Sequence, residues 1–169
     1  MLIAIVSDTH LPRGTRRLPD ECVRLIAGAD LLIHAGDFST LSVLRELEAI
    51  GPPVAGVHGN VDSAELRRLL PAERVVEAER VRIAVVHDAG PRRGRLERMR
   101  GRFGGRADAV VFGHSHLPLH DRADDGFQIF NPGSPTDRRR APERTMGLAS
   151  VVGESVVFEL VRLIPYTAS

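Results

Sequence analysis

Five short polar clusters interrupt the apolar runs of this chain: Asp8-Thr9-His10, Gly36-Asp37, Gly59-Asn60-Val61-Asp62, His87 and Gly113-His114-Ser115-His116. Together they offer carboxylate, imidazole and amide donors. Asp8 and His10 fall on one side of an extended turn and can hold one cation, with His116 reaching back to the same ion. Asp37 can bridge to a second ion, because a carboxylate presents two oxygens. Asn60 can add a neutral amide oxygen there, and His87 and His114 can add imidazoles. Hard oxygen mixed with imidazole nitrogen favours Mn, Fe or Zn over Ca. Paired ions of that kind clamp the attacking and leaving oxygens of an in-line displacement, which is the chemistry of phosphate-ester hydrolysis.

Taken singly, each cluster is weak. Asp-x-His and Gly-Asp are common in loops, Asn60 reads equally as a turn residue, and Asp62 reads as a helix cap. Their ordered recurrence carries the argument, because each follows an apolar run by one or two residues. Leu2 to Val6, Asp30 to Ala35 and Pro53 to Val57 read as strands, with helices over Pro19 to Ala27 and Leu41 to Ile50 between them. Strand, helix, strand in this order implies parallel pairing with right-handed crossovers. Ligands bind outside the carboxyl ends of such strands, so all five clusters are expected at one edge. Gly36, Gly59 and Gly113 each precede a polar residue, where a missing Cβ permits a close backbone approach.

Farther along, Asp62 opens a short helix with Glu65 at capping-box spacing. Val75-Val76 and Val81 to Val86 read as strands around a turn near Glu79-Arg80, and Gly94 to Phe103 as an Arg-rich helix or loop. Ala109 to Phe112, Leu119 to Arg122, Phe127 to Phe130, Met146 to Val152 and Ser155 to Leu163 read as strands. Asp124-Asp125-Gly126 and Gly153-Glu154 mark hairpin turns, and Pro132 to Arg144 is a polar loop. An α/β domain with two packed sheets satisfies both halves.

A chain of 169 residues is long enough for a sizeable core, and 27% charge with a net charge of +1 argues against a stable nucleic-acid complex. All 23 basic residues are Arg, a bias that suits phosphate handling and equally reflects coding preference. Cys22 stands alone, so no internal disulfide forms, and it reads as a small buried hydrophobe. The apolar N-terminus reaches Asp8 too soon for a signal peptide, and no run approaches a membrane span, so a cytoplasmic protein is expected.

The stretches Ser7-Asp8-Thr9-His10, His34-Ala35-Gly36-Asp37, Gly113-His114-Ser115-His116 and Asn131-Pro132-Gly133-Ser134 resemble the calcineurin-like metallophosphoesterase superfamily. Within it, the chain looks closest to the small uncapped bacterial and archaeal phosphodiesterases. The resemblance implies one metallophosphoesterase domain over residues 1–169, folded as a four-layer α/β/β/α sandwich with two mixed sheets. It gives metal one Asp8, His10, Asp37 and His116, and metal two Asp37, Asn60, His87 and His114. Two divalent ions are implied, with Mn favoured and Fe, Zn, Ni or Co compatible. Catalysis would rest on Asp37, Asn60 and His114, a hydroxide bridging the ions attacking phosphorus in line.

Two departures bear on the substrate. Most superfamily members carry a His after the Gly-Asn pair, and Val61 stands there instead. Val cannot donate a proton, so small phosphodiesters with good leaving groups are expected over alkyl monoesters. His87-Asp88 replaces the usual His-Gly, where Asp88 could crowd the second metal, add a ligand or orient an imidazole. Ser134 and Arg13 are expected near substrate, while His34, His58 and His120 are expected to pack or lie at the surface. His10-Leu11-Pro12-Arg13 and Leu18-Pro19 also resemble the retromer sorting subunit, which makes a non-catalytic interaction scaffold of the same fold the alternative. Exposed strand edges would allow a homodimer.

Overall fold

β1 (Leu2–Val6) is apolar on both faces, and the fold explains why: Ile3 and Ile5 point between two sheets, while Ala4 and Val6 point toward helices. A strand covered on both sides has no use for polar alternation. The computed structural model describes residues 1–14 and 16–163. After β1 come α1 (Asp20–Ala27), β2 (Leu31–His34), α2 (Leu41–Glu48), β3 (Val54–Gly56) and α3 (Ala64–Leu69). Then follow β4 (Glu73–Ala78), β5 (Val81–Val86), α4 (Arg95–Phe103), β6 (Ala109–Val111) and β7 (Leu119–Arg122). β8 (Gln128–Asn131), β9 (Arg144–Val152) and β10 (Ser155–Leu163) complete the described elements.

The first sheet runs β10-β9-β1-β2-β3 and the second β4-β5-β6-β8-β7. Both are mixed. β1, β2 and β3 are parallel, with β9 and β10 added antiparallel. β5, β6 and β8 are parallel, flanked by antiparallel β4 and β7. Ile3, Ile5, Ile33, Ile83, Val85 and Phe130 fill the space between the sheets. Cys22, Ile26, Val43, Leu44, Leu47 and Leu66 bring α1, α2 and α3 onto the outer face of the first sheet. Met99 and Phe103 bring α4 onto Val110, Phe112 and Ile129 of the second. The result is the expected four-layer α/β/β/α sandwich.

Element boundaries shift for local reasons. α2 stops at Glu48, yet Ile50 still packs on the same core. β4 is longer than the Val75-Val76 pair, because Glu73 and Arg74 continue the antiparallel ladder opposite Val86 and Val85. The Arg-rich segment is a helix, α4, entered through Gly94 at φ +65. Ser63, not Asp62, caps α3, its Oγ accepting from the Leu66 amide at 3.3 Å. Cys22 is buried, and burial pushes its thiol up to about 12, as befits an inert core residue.

α4 is polar along most of its length, so its buried side chains, Met99 and Phe103, carry most of its attachment to the sheet. Phe103→Ala is expected to lower stability by ~3–5 kcal/mol, measured by urea denaturation, with the secondary structure of the remainder retained.

Candidate metal centre

The carboxyl ends of β1, β2, β3, β5 and β6 bring the predicted donors together. Asp8 is fully buried and divides its oxygens. Oδ2 accepts from Ser7 Oγ at 2.7 Å and from the His114 amide at 2.9 Å. Oδ1 has no hydrogen-bond partner and faces His116 Nε2 at 3.3 Å and His10 Nε2 at 3.8 Å. A buried carboxylate oxygen without a donor is costly unless a cation meets it. His10 and His116 bring their Nε2 atoms 3.1 Å apart, their rings stacked at 5.0 Å. His116 Nδ1 donates to the Asp137 carbonyl, which leaves its Nε2 as a lone pair directed at the same point.

The second group shares Asp37. Its Oδ1 accepts from the Val61 amide at 3.0 Å, and its Oδ2 lies 3.7 Å from His10 Nε2 and 3.3 Å from His87 Nε2. One oxygen therefore faces both groups, whereas the sequence led us to expect one oxygen for each. His87 Nδ1 donates to the Ala35 carbonyl at 2.8 Å, turning Nε2 inward. Asn60 Oδ1 lies 3.1 Å from that Nε2 and 2.9 Å from His114 Nδ1, and the two imidazole nitrogens are 3.3 Å apart. For ligand bonds near 2.1 Å, donors around one ion should sit roughly 3.0–3.4 Å apart. The residues present fit a pair of divalent ions.

Electrostatics agree with that fit. Burial pushes the Asp37 carboxyl up, but hydrogen bonds from His87 and the Val61 amide, with the nearby imidazoles, hold it down at about 2. Burial pulls His87 down, yet the Asp37 hydrogen bond and the Asp8 and Asp37 charges hold it above its ordinary value. His10 is lowered, burial outweighing the same two carboxylates.

The backbone is bent to reach these positions. Asp8, His10, Asp37, His114 and His116 all have positive φ, between +46 and +66. Gly59 and Gly113 let the loops touch: a Cβ on Gly59 would overlap Asp37 Oδ1, and one on Gly113 would overlap Ser7 Oγ.

Asp62 is the residue that sequence reasoning misjudged. Its buried carboxylate does not cap a helix but accepts three loop amides, Asp37 at 3.1 Å, Ser39 at 2.7 Å and Gly59 at 2.7 Å. Only its place beside Asn60 hinted at a role here. The expectation that Ser134 touches substrate is corrected too. It is buried, and its Oγ donates to the Asp8 carbonyl at 2.7 Å while accepting the Asp137 amide at 2.9 Å. Thr136 Oγ1 holds the Thr9 carbonyl in the same manner at 2.5 Å.

The other candidates sort by their contacts. Asp88 is exposed and its Oδ1 accepts the Gly90 amide at 2.7 Å, a contact within its own turn. His34 packs against Phe38 with ring centroids 3.5 Å apart and bonds Thr9 Oγ1; burial holds it neutral, down at about 3. His58 is half-buried beside Gly59, and His120 of β7 bonds Gln128 of β8. Arg13 is exposed in the loop after His10, and Val61 is 46% exposed.

Residues 1–154 match the model of the calcineurin-like phosphoesterase superfamily domain. A probable metallophosphoesterase of Methanothermobacter thermautotrophicus is 34% identical over 164 residues, 96% of this chain and 92% of that protein. Phosphodiesterase MJ0936 of Methanocaldococcus jannaschii is 28% identical over 149 residues, 79% of this chain and 83% of that protein. Vacuolar protein sorting 29 from Cryptosporidium parvum superimposes with a TM-score of 0.82 at 23% identity, over 97% of this chain and 92% of that one. This last likeness concerns the fold.

Three outcomes follow from the geometry and its electrostatics. Asp62→Ala leaves three loop amides without their acceptor and should cost ~1–3 kcal/mol. It should also weaken divalent-ion binding by roughly 10–100-fold, read by calorimetric titration. In the wild-type protein, His87 must lose its proton to bind an ion, and its raised value keeps that proton on to higher pH. Ion affinity should therefore fall by about tenfold per pH unit below that value. The same proton linkage makes Asp37, lowered to about 2, a source of metal-free stability present above its ordinary 3.8 and lost as pH falls toward 2. Ion binding that does not vary with pH would remove His87 from the centre.

Proposed function

The chain belongs to the calcineurin-like phosphoesterase superfamily, and from that premise we propose that it is a dinuclear metal-dependent phosphodiesterase acting on small diesters with good leaving groups. The observation that carries the reading is the convergence of the seven expected donors around the unpartnered Asp8 Oδ1, the shared Asp37 Oδ2 and the inward-facing His87 Nε2. Asp8, His10, Asp37 and His116 would hold one ion; Asp37, Asn60, His87 and His114 would hold the other. When bound, the ions supply an activated water and neutralise charge on the phosphoryl oxygens. Oxygen and imidazole donors without thiolate suit Mn, Fe, Zn, Ni or Co alike, and Mn is the working metal of this reading.

The chain's own residues set the rest. Hydrogen bonds to Ala35 and Asp137 fix which nitrogen of His87 and His116 faces the centre. The Val61 amide, the Ser7 hydroxyl and the His114 amide orient the two carboxylates. At the mouth, where a proton donor would be needed for a poor leaving group, the exposed Val61 side chain has none. Support for diesters comes from this residue and from the name of the archaeal phosphodiesterase relative. In this reading the exposed Arg13, in the loop after His10, meets the anionic substrate. A scaffold of the same fold would not need the full donor set, which weighs toward the enzyme.

Hydrolysis of bis(4-nitrophenyl) phosphate and of 4-nitrophenyl phosphate should be compared across Mn, Ni, Co, Zn and Mg. The diester should be the better substrate, and Asp37→Ala and His114→Ala should abolish turnover along with ion content. Val61→His should raise the rate for an alkyl leaving group on the order of a hundredfold and barely change that for 4-nitrophenolate. Absence of turnover with every metal would sink the enzymatic reading; a strong monoester preference would sink the role given to Val61.

A further inference from the structure

Asn60 and His87 have a second side, which forms the inner wall of a cavity of about 380 Å³. Buried Val86 and exposed Ala72 supply its apolar lining. Arg67 of α3, Arg102 of α4 and His58 carry its nitrogen donors, and Asp88 is the one acid among its described lining residues. Asp88 is already bonded through Oδ1 to the Gly90 amide.

Both arginines are exposed, and each guanidinium has a partner within the protein. Arg67 donates one nitrogen to the Asn60 carbonyl, which sets its fork against the segment that carries the amide donor. Arg102 donates to Glu73 at 2.5 Å and leans over the Phe103 ring. That ion pair is about half exposed and adds little to stability, and the Glu73 carboxylate offsets part of the charge that Arg102 brings. Each fork keeps further donors for a planar or tetrahedral anion. A volume within the range of small-molecule sites, some apolar lining and two arginines with donors to spare describe a place for one substituent arm ending in a negative charge.

We propose that this cavity is a second anion subsite, which takes a terminal phosphate carried on one arm of the phosphodiester substrate. The inference rests on the phosphodiesterase reading and narrows its substrate class to diesters that bear a distal phosphate. Arg67 and Arg102 are then specificity-determining residues: they act on the distant group and not on the reacting phosphorus.

A matched pair of substrates isolates the effect. Thymidine 5′-(4-nitrophenyl phosphate) and its 3′-phosphorylated counterpart share leaving group and reacting centre and differ in the distal phosphate alone. With the Mn-loaded protein, kcat/KM should favour the 3′-phosphorylated compound on the order of tenfold, through KM. In Arg67→Met and Arg102→Met that ratio should fall toward one. Any disturbance of the metal centre by a substitution multiplies both substrates alike and cancels in the ratio. Calorimetry adds a readout without turnover: thymidine 3′,5′-bisphosphate should bind more tightly than thymidine 5′-phosphate to the wild type, and equally to the variants. Turnover of both diesters with a ratio near one, or a preference that survives both substitutions, overturns the subsite and leaves the phosphodiesterase reading standing. Failure to hydrolyse either diester overturns both.

Discussion

Left-handed backbone at the donor residues is the constraint around which this molecule is arranged. Asp8, His10, Asp37, His114 and His116 sit where an L side chain crowds its own carbonyl, at ~1–2 kcal/mol for each residue. Such a conformation persists when neighbours over-determine it. Here those neighbours are buried polar groups bonded to the loop backbone. The Asp62 carboxylate gathers the Asp37, Ser39 and Gly59 amides, and the Ser134 and Thr136 hydroxyls hold the Asp8 and Thr9 carbonyls. Asn131 holds the Gly113 carbonyl through its amide nitrogen and the Gly133 amide through its oxygen. The apolar layers set the height of the loops above the sheets, and these bonds set their curvature.

The same bonds divide the labour of each donor side chain. Asp8 and Asp37 each commit one oxygen to backbone amides and turn the other toward the centre. His87 and His116 each commit Nδ1 to a backbone carbonyl and turn Nε2 inward. Tautomer and carboxylate rotation are thereby chosen by the fold, and an arriving ion meets lone pairs already directed at it. The arrangement limits reorganisation at the moment of binding.

Much of this was legible in the chain. The apolar runs at Leu2–Val6 and at residues 83–86 read as buried strands because they are buried on both faces. The donor set was legible because each member follows such a run, and the glycines preceding Asp37, Asn60 and His114 marked the crowded turns. Asp62 was not legible as a loop tie. Locally it looks like a helix cap, and its partners Asp37 and Ser39 lie on another loop that only the tertiary fold brings near. Ser134 failed for the same reason, since its partner is the carbonyl of Asp8 at the far end of the sequence. The cavity beside Asn60 was invisible because α3 and α4, which supply its arginines, belong to opposite outer layers.

The hydroxyl contacts from Ser134 and Thr136 to the Asp8 and Thr9 carbonyls have a consequence for the order in which the protein assembles. The first donors of the chain are held by residues more than 120 positions later, and β9, which pairs with β1, comes later still. Contacts of such long sequence separation form only after the closing of a large loop. A growing chain that has emitted β1, β2 and β3 thus owns Asp8, His10 and Asp37 but lacks the parts that bend them into place. Assembly of the pocket around Asp8 and His10 waits on synthesis of the segment that carries Ser134, Thr136 and β9.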